Sequence, residues 1–544
     1  MPLTSPLLAS PRSSPYHHRP VELMPADHWA YGELRKLWTA GVLDSFFVSS
    51  RPVSRYDVAA MLLTLEQSGR TPVGSPPMER LLREFSREMR CLGEEPKSRE
   101  GAPERRGREG AAQGETSLKE TPLGQLVYEE TPFIFQRRSR DLDFRVSLYT
   151  DFSFHKEGER DAVVEEGSRA GVRVQAILRP GITVFEDLYV GKHAEAWRYS
   201  EELFGLEDVV VFTDRFYVAM RTPFFDAAVG RDKLRWGPGR TGTLLLSDGA
   251  PSYTLFSASR TLGRRVKIST LSAILDSQEG KYLAAHRLDL APWDFLQVGL
   301  SETAVYHSRY VEPLYAISLV PFTFVERLLH RDSQDPRPDD PLRNNLAIGS
   351  DIVLRPAKGA SLYAELMLDD VSEESGKRPT RLAYQLGTGI SRPIGGRYVN
   401  FTAELSRVWN YTYCVCYSSL YDRDHSHQSV PLGYDLGPDS RRVLFLASCD
   451  LSRDLEIGAS WEEILKGEGT LEEPWCEAAG DVSASEFSGT VETARTGTLF
   501  VSWLPRDNFR VETAVGLADV TNENHVEGES ESRALFSLRC ILRW

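Results

Sequence analysis

A transmembrane β-barrel with a small N-terminal α-helical domain is the fold this sequence predicts, on three observations. Over the last four fifths of the chain, segments of about ten residues, enough to cross a bilayer when tilted, alternate apolar and polar side chains. Their connections are by turns short and long. No run of eighteen apolar residues is present to form a membrane helix.

The alternation is plainest at the end of the chain. Ala534, Phe536, Leu538, Cys540, Leu542 and Trp544 share one face of a strand, and Arg533, Ser537, Arg539 and Arg543 share the other. Repeated arginine is costly on the inner face of a packed sandwich. A water-filled lumen with lipid outside accepts it. The same division sets Phe144, Val146 and Leu148 against Asp143, Arg145 and Ser147, and Val172 and Val174 against Arg173 and Gln175. It recurs with Leu362, Ala364 and Leu366 against Tyr363 and Glu365, with Val399 and Phe401 against Asn400 and Glu404, and with Val511 and Val515 against Arg510 and Glu512.

Composition agrees. The 544 residues are 41% hydrophobic, and a mean hydropathy of -0.34 excludes a helical membrane protein. A barrel hides in such averages because half of each strand is polar. The net charge of -14 argues against nucleic acid as a partner. Six cysteines follow no metal-ligand spacing; the sequence allows a disulfide between Cys414 and Cys476 in neighbouring loops without fixing any pairing. Residues 1–20 read as a disordered N-terminus rich in proline, without the apolar core of a signal peptide, so an export signal is expected upstream of Met1 or already removed.

Residues 21–92 read as a helical periplasmic module. Trp29 to Ala40 has apolar positions at Trp29, Leu34, Leu37 and Trp38, with Gly41 closing the helix. Ser54 is placed to cap a second helix with the stripe Val58, Met61, Leu62 and Leu65, and a third runs from Met78 to Leu92. In its His-Trp-Ala opening, Gly-Val-Leu turn and Arg-Pro-Val-Ser-Arg-Tyr-Asp helix start, the stretch His28 to Leu65 resembles one repeat of the surface-layer homology family. That resemblance implies affinity for a cell-wall polymer; the plainer reading is a periplasmic helical cap. Residues 93–122 are a flexible charged linker, since Gly93 to Ser117 holds no Val, Ile, Leu, Met or aromatic residue to offset ordering entropy.

Residues 123–544 form the barrel. Short turns fall at Arg179 to Gly181, Arg355 to Gly359, Arg392 to Arg397, Ser452 to Asp454 and Pro505 to Asn508; long connections fall at 155–169, 369–380, 410–442, 464–496 and 519–532. Short periplasmic turns and long external loops are the barrel rule. Both termini then lie in the periplasm and the strand number is even. Charge divides along the same axis: the short turns carry Arg and Lys, while residues 464–494 hold seven acids against Lys466. An acidic external mouth suits a neutral or cationic ligand, or divalent ions bridging to anionic sugars.

The segment Gly230 to Gly242 breaks the alternation. Trp236 sits there among Arg231, Asp232, Lys233, Arg235 and Arg240, and Arg231, Arg235, Trp236 and Arg240 are placed to constrict the pore. The run Gly230 to Pro251 resembles the signature region of the Wzi-like capsule assembly family of outer-membrane proteins. Further matches are Gly299-Leu300-Ser301-Glu302, Leu362-Tyr363-Ala364-Glu365-Leu366 with Asp369-Asp370, and Pro431-Leu432-Gly433 followed by Gly437-Pro438-Asp439. The resemblance implies about eighteen antiparallel strands, helical elements on the periplasmic side and capsular polysaccharide as the ligand.

A sugar site needs aromatic faces and fixed polar groups. Trp236, Tyr411, Tyr413, Tyr417, Tyr421, Asp422, Asp424 and His427 offer both, although Trp409, Tyr411 and Tyr413 also suit an interfacial aromatic girdle. Catalysis, cofactor and metal are not expected: Asp369-Asp370 and Asp339-Asp340 point to opposite faces of an extended chain, and Glu302, Glu365 and Glu404 should face the lumen and pair with cations such as Arg173 or Arg539. The expected function is a monomeric barrel in the outer membrane of a diderm bacterium, contacting lipid, that binds surface polysaccharide and assists capsule assembly. The alternative is a general diffusion porin tethered to the cell wall by its N-terminal module.

Overall fold

The computed structural model describes residues 19–44, 47, 49–68, 74–93, 133–139, 142–158, 163–164, 168–178, 181–192, 209–317, 320–329, 344–370, 379–416, 422–476, 485–506 and 508–544. Eighteen long antiparallel strands close into one barrel. They are β1 Leu142–Glu157, β2 Arg169–Leu178, β3 Ile182–Lys192, β4 Val209–Arg221, β5 Asp226–Asp232, β6 Tyr253–Leu262, β7 Val266–Asp276, β8 Lys281–Trp293 and β9 Leu296–His307. The circuit continues with β10 Asn345–Ala357, β11 Ala360–Asp370, β12 Arg381–Ile394, β13 Arg397–Val408, β14 Ser440–Ser452, β15 Leu455–Lys466, β16 Glu492–Arg506, β17 Phe509–Thr521 and β18 Ser530–Arg543. β18 closes the cylinder on β1, with Leu538 opposite Phe154 and Leu542 opposite Thr150. Closure satisfies every strand edge, which a sheet surrounded by hydrocarbon requires.

The two faces divide as the alternation predicts. Leu499 and Leu517 are 63% and 67% exposed on the outer wall, while the lumen-facing Arg287 is buried between Asp289 and Asp351 at 2.8 and 2.6 Å. Phe224, Phe225, Trp293 and Phe295 stand exposed at the short-turn end, as an interfacial aromatic belt does. At that end residues 294–295, 358–359, 395–396 and 453–454 connect strands in pairs. At the other end the connections are long, except for residues 277–280 between β7 and β8.

A barrel this wide leaves a lumen that its own wall cannot fill, and the N-terminal helices enter it. α1 spans Ala30–Thr39, α2 Arg55–Gln67, α3 Pro76–Glu84 and α4 Ser86–Gly93. Leu34, Leu37, Leu62, Leu81 and Phe85 form their core, which packs on Val353 of β10 and Tyr363 of β11. At the short turns Gly359 N donates to Thr39 O at 2.7 Å, and Arg355 donates to Trp38 O at 2.6 Å. Gly41 closes α1 at φ 79° as expected. The single helix expected over Met78 to Leu92 is two, broken where Phe85 leaves helical geometry to bury its ring. Ser54 makes no side-chain cap; its hydroxyl donates to Pro20 O instead. Residues 1–18 and 94–122, covering most of the expected N-terminal tail and linker, lie outside the described residues.

Two further helices, α5 Pro313–Ile317 and α6 Phe322–Leu329, pack against the outside of the wall. Tyr315, Phe322 and Val325 cover Tyr282, Ala284, Ala304 and Tyr306. This overturns the lumen placement of Glu302. Ser301 bonds Arg287 inside, so Glu302 points outward, where it pairs with His286 at 3.0 Å and accepts Phe322 N at 2.9 Å. A polar pair on the outer wall is tolerable because α6 covers it and satisfies it.

Candidate functional site: a lumen sealed from both ends

Between β5 and β6, residues 233–252 fold into the lumen instead of out of it. Leu244, Leu245 and Leu246 are buried there, and a short ladder pairs Arg235 and Trp236 with Arg51 and Ser50 of the helical module. The inserted loop from one end therefore meets the helices from the other. Gly237 N donates to Ser49 O at 2.8 Å, Ser50 Oγ donates to Asp289 at 2.6 Å, and the Arg35 guanidinium donates to Pro238 O. Gly237 is required at this junction: its φ of 139° suits glycine, and a Cβ would strike Glu365 and Thr243.

Lumen carboxylates hold the inserted backbone. Glu404 accepts Thr241 N at 2.9 Å, Thr241 Oγ1 at 2.6 Å, Tyr363 OH at 2.6 Å and Arg240 N. Glu365 accepts Leu244 N at 2.7 Å. The expectation that Glu365 and Glu404 pair with arginines such as Arg173 or Arg539 fails for a physical reason. A buried loop carries backbone N–H groups that must be satisfied, and these acids satisfy them. Arg173 and Arg539 pair elsewhere, with Asp187 and Asp151.

A second layer comes from residues 409–439. Tyr413 OH donates to Leu244 O at 2.7 Å and accepts Tyr434 N at 3.0 Å, while His425 Nε2 meets Leu245 O at 2.7 Å. Asp369 accepts Tyr413 N at 2.8 Å, tying this layer to β11. Cys416 bonds to Cys476, joining the layer to the next long loop. The cysteine at 414 is buried and unbridged, so Cys416 takes the place expected for Cys414. Tyr411 and Tyr413, at φ 64° and 79°, turn the chain ahead of the cysteines.

The residues anticipated as sugar contacts separate by burial. Trp236 is 2% exposed, and Tyr413, Asp424 and His427 are likewise buried within the seal. Tyr411 is half-buried, and Asp422 stays partly exposed while pairing with Lys281 at 2.8 Å. Tyr417 and Tyr421 lie outside the described residues. Of the constricting set, Arg235 bonds Asp248 at 2.9 Å and Gly239 O at 2.6 Å, Arg231 donates to Ser252 Oγ at 3.0 Å, and Arg240 remains exposed. Glu33, Asp450 and Glu456 converge as metal ligands do, but Lys36 Nζ sits among them at 3.0, 3.2 and 3.0 Å.

Burial pushes the imidazoles of His425 and His427 down to about 4, with Lys281 acting on both and Arg231 on His427. Both are therefore neutral in the folded layer, against an ordinary value of about 6.5 in the unfolded chain. A depressed folded value contributes stability that is complete above pH 6.5 and lost as pH falls towards 4. The contribution is at most about 3 kcal/mol for each histidine. Amide exchange over residues 409–439, corrected for intrinsic rate, should quicken between pH 7 and pH 4.5; equal protection at both would exclude this linkage.

One part of the lumen stays open. A cavity of about 890 Å3 lies between the helical module and the inner faces of β1, β2, β3, β4, β17 and β18.

Residues 189–535 match the family model described as capsule assembly protein Wzi. No curated protein sequence matches the chain. Among solved structures it is similar to Wzi of Escherichia coli, described as an outer membrane protein involved in group 1 capsule assembly and a carbohydrate-binding β-barrel. The two share 15% identity with a TM-score of 0.57, over 95% of this chain and 98% of that one. OccD3 of Pseudomonas aeruginosa matches at 10% identity and a TM-score of 0.41, over 74% of this chain and 91% of its own. The fold is thus the Wzi barrel, and on the family match the chain belongs to the Wzi capsule assembly protein family.

Proposed function

We propose that the chain is an outer-membrane barrel that binds surface polysaccharide and assists its assembly into a capsule. The observation that carries this reading is the doubly sealed lumen: a wall built for the membrane encloses packed loop and helix where a porin keeps water. The family match and the likeness to a carbohydrate-binding barrel support it. Sealing of this kind serves holding.

In this reading the short-turn end and residues 21–92 face the periplasm, 1–20 and 93–122 are tail and linker, and the protein works as a monomer in contact with lipid. The surface-layer-like stretch His28 to Leu65 adds a cell-wall polymer as a second contact. The sugar lies on the outer side of the 409–439 layer, where Tyr411 and Asp422 remain accessible and Tyr417 and Tyr421 are their nearest chemical kin in sequence. Trp236, Tyr413, Asp424 and His427 then act by supporting that surface.

Two measurements test the proposal. Purified barrel in a planar bilayer should give no steady conductance and should be retained on capsular polysaccharide, with retention weakened at least several-fold by Tyr411→Ala combined with Asp422→Ala. A stable open channel without retention would favour the tethered porin and overturn the binding role.

A further inference from the structure

The lower end of the open lumen cavity carries a chemistry distinct from the acidic outer mouth. Trp29, Arg83, Asn508, Arg510, Ile541 and Arg543 converge there, where the helical module meets β17, β18 and the turn before β17. Of Arg83, Arg510 and Arg543, the last is held furthest from a carboxylate. Glu84 serves Arg55 at 2.8 Å, His28 at 3.5 Å and Arg543 only at 3.8 Å, and Glu512 is divided between Arg510 at 2.8 Å and Arg539 at 3.8 Å. Arg83 reaches Asp454 at 3.5 Å. Glu84 is the first charged neighbour of Arg543, and beyond it Arg173, Arg55 and Arg510 bring three more cations to the same guanidinium.

Asn508 is an independent sign. Its side chain is 7% exposed, and the buried Nδ2 donates to no acceptor while lining the cavity. An orphaned buried donor is costly to keep. The aromatic beside this donor is Trp29, stacked on His28 at 5.5 Å between ring centres, with the Arg510 guanidinium 6.0 Å from the Trp29 ring centre. Guanidinium forks and an amide N–H match an oxyanion. An indole face matches the apolar side of a pyranose.

We infer that this end of the cavity is a binding site for an anionic sugar, its carboxylate or phosphate held by Arg510, Arg543 and Asn508 and its ring laid on Trp29. The sugar half rests on the glycan reading above; the anion half stands on the cavity alone. The site lies beside the short turns, at the end away from the 409–439 layer.

Calorimetry on the full chain in detergent, with tetragalacturonate, glucose 1-phosphate and neutral maltotetraose as ligands, tests it. One of the two anionic ligands should bind at least about tenfold more tightly than maltotetraose, the worth of one charge-assisted hydrogen bond. The tighter of the two names the oxyanion. That preference should shrink by a similar factor in Arg510→Gln and Arg543→Gln, and recover in part in Arg510→Lys. Should a variant fail to fold, the wild-type protein still decides, because its affinity must fall steeply between 50 and 500 mM salt, two conditions straddling effective screening. Equal binding of all three ligands, salt-indifferent binding, or unaltered preference in both glutamine variants overturns the site. Displacement of the sugar by sulfate at equal concentration overturns its sugar half. Capsule retention by cells is a separate readout, so its loss would remove the proposed role and leave this result standing.

Discussion

Asp450→Ala should free the helical module from the barrel. Asp450 is fully buried on β14 and takes Lys36 at 3.2 Å, Asn400 Nδ2 at 2.9 Å and the Arg80 guanidinium. Glu33 shares both cations, at 3.0 Å from Lys36 and 2.9 Å from Arg80, and Glu456 takes Lys36 at 3.0 Å. The cluster joins α1 and α3 to the wall. Two carboxylates then remain for two cations, but Arg80 loses its carboxylate on the wall and buried donors are left short of an acceptor, which costs about 1–3 kcal/mol. The β-ladders do not depend on it. Protease should therefore cut within residues 19–93 of the variant while the barrel keeps its strand signal and resistance. Asp450→Asn retains the Asn400 contact and should fall between the two. Undiminished protection in Asp450→Ala would show that apolar packing on Val353 and Tyr363 suffices to hold the helices.

The second large effect is expected from the bond between Cys416 and Cys476. It spans 60 positions, and closing a loop of that length in the unfolded chain is worth about 4 kcal/mol on the chain-entropy account. β14 and β15 lie within the loop, so the wall survives its loss and the cost falls on the outer layer. Replacing both cysteines by serine should lower the thermal midpoint and raise amide exchange in residues 409–416 and 467–476, with the strands unaffected. Exchange unchanged in both segments would mean that Asp439, which accepts Ser488 N at 3.0 Å and Gly469 N at 3.3 Å, already fixes the two loops together.

The wall was legible in the chain because a strand writes its two environments at alternate positions. Arg539 and Phe536 fall on the sides that their polarity demands. What fills the wall was less legible. Nothing in the spacing of Leu34, Leu37 and Leu62 distinguishes a helix bundle below a barrel from one seated within its mouth. Glu404 read as a lumen charge, but its partners are amides of a loop more than 160 positions away, and periodicity carries no such information. Glu302 was misplaced because alternation was judged without knowing which neighbours of β9 face the lumen; the covering helix α6 made an acid tolerable outside. Trp236 and Tyr413 have the chemistry of a sugar platform and the burial of core, and only the inserted backbone decides between them.

The seam between β1 and β18 bears on how the molecule is made. Asp151 and Arg539 meet across it at a separation of 388 positions, so the cylinder cannot be completed until its final strand has left the ribosome. By then α1 to α4 have long been synthesised, and their contact with Arg235 and Trp236 lies deep between the walls. A half-rolled sheet can curl around helices already resting on it; a finished tube would have to swallow them through its rim. The helices that fill this tube are thus made before the strands that close it.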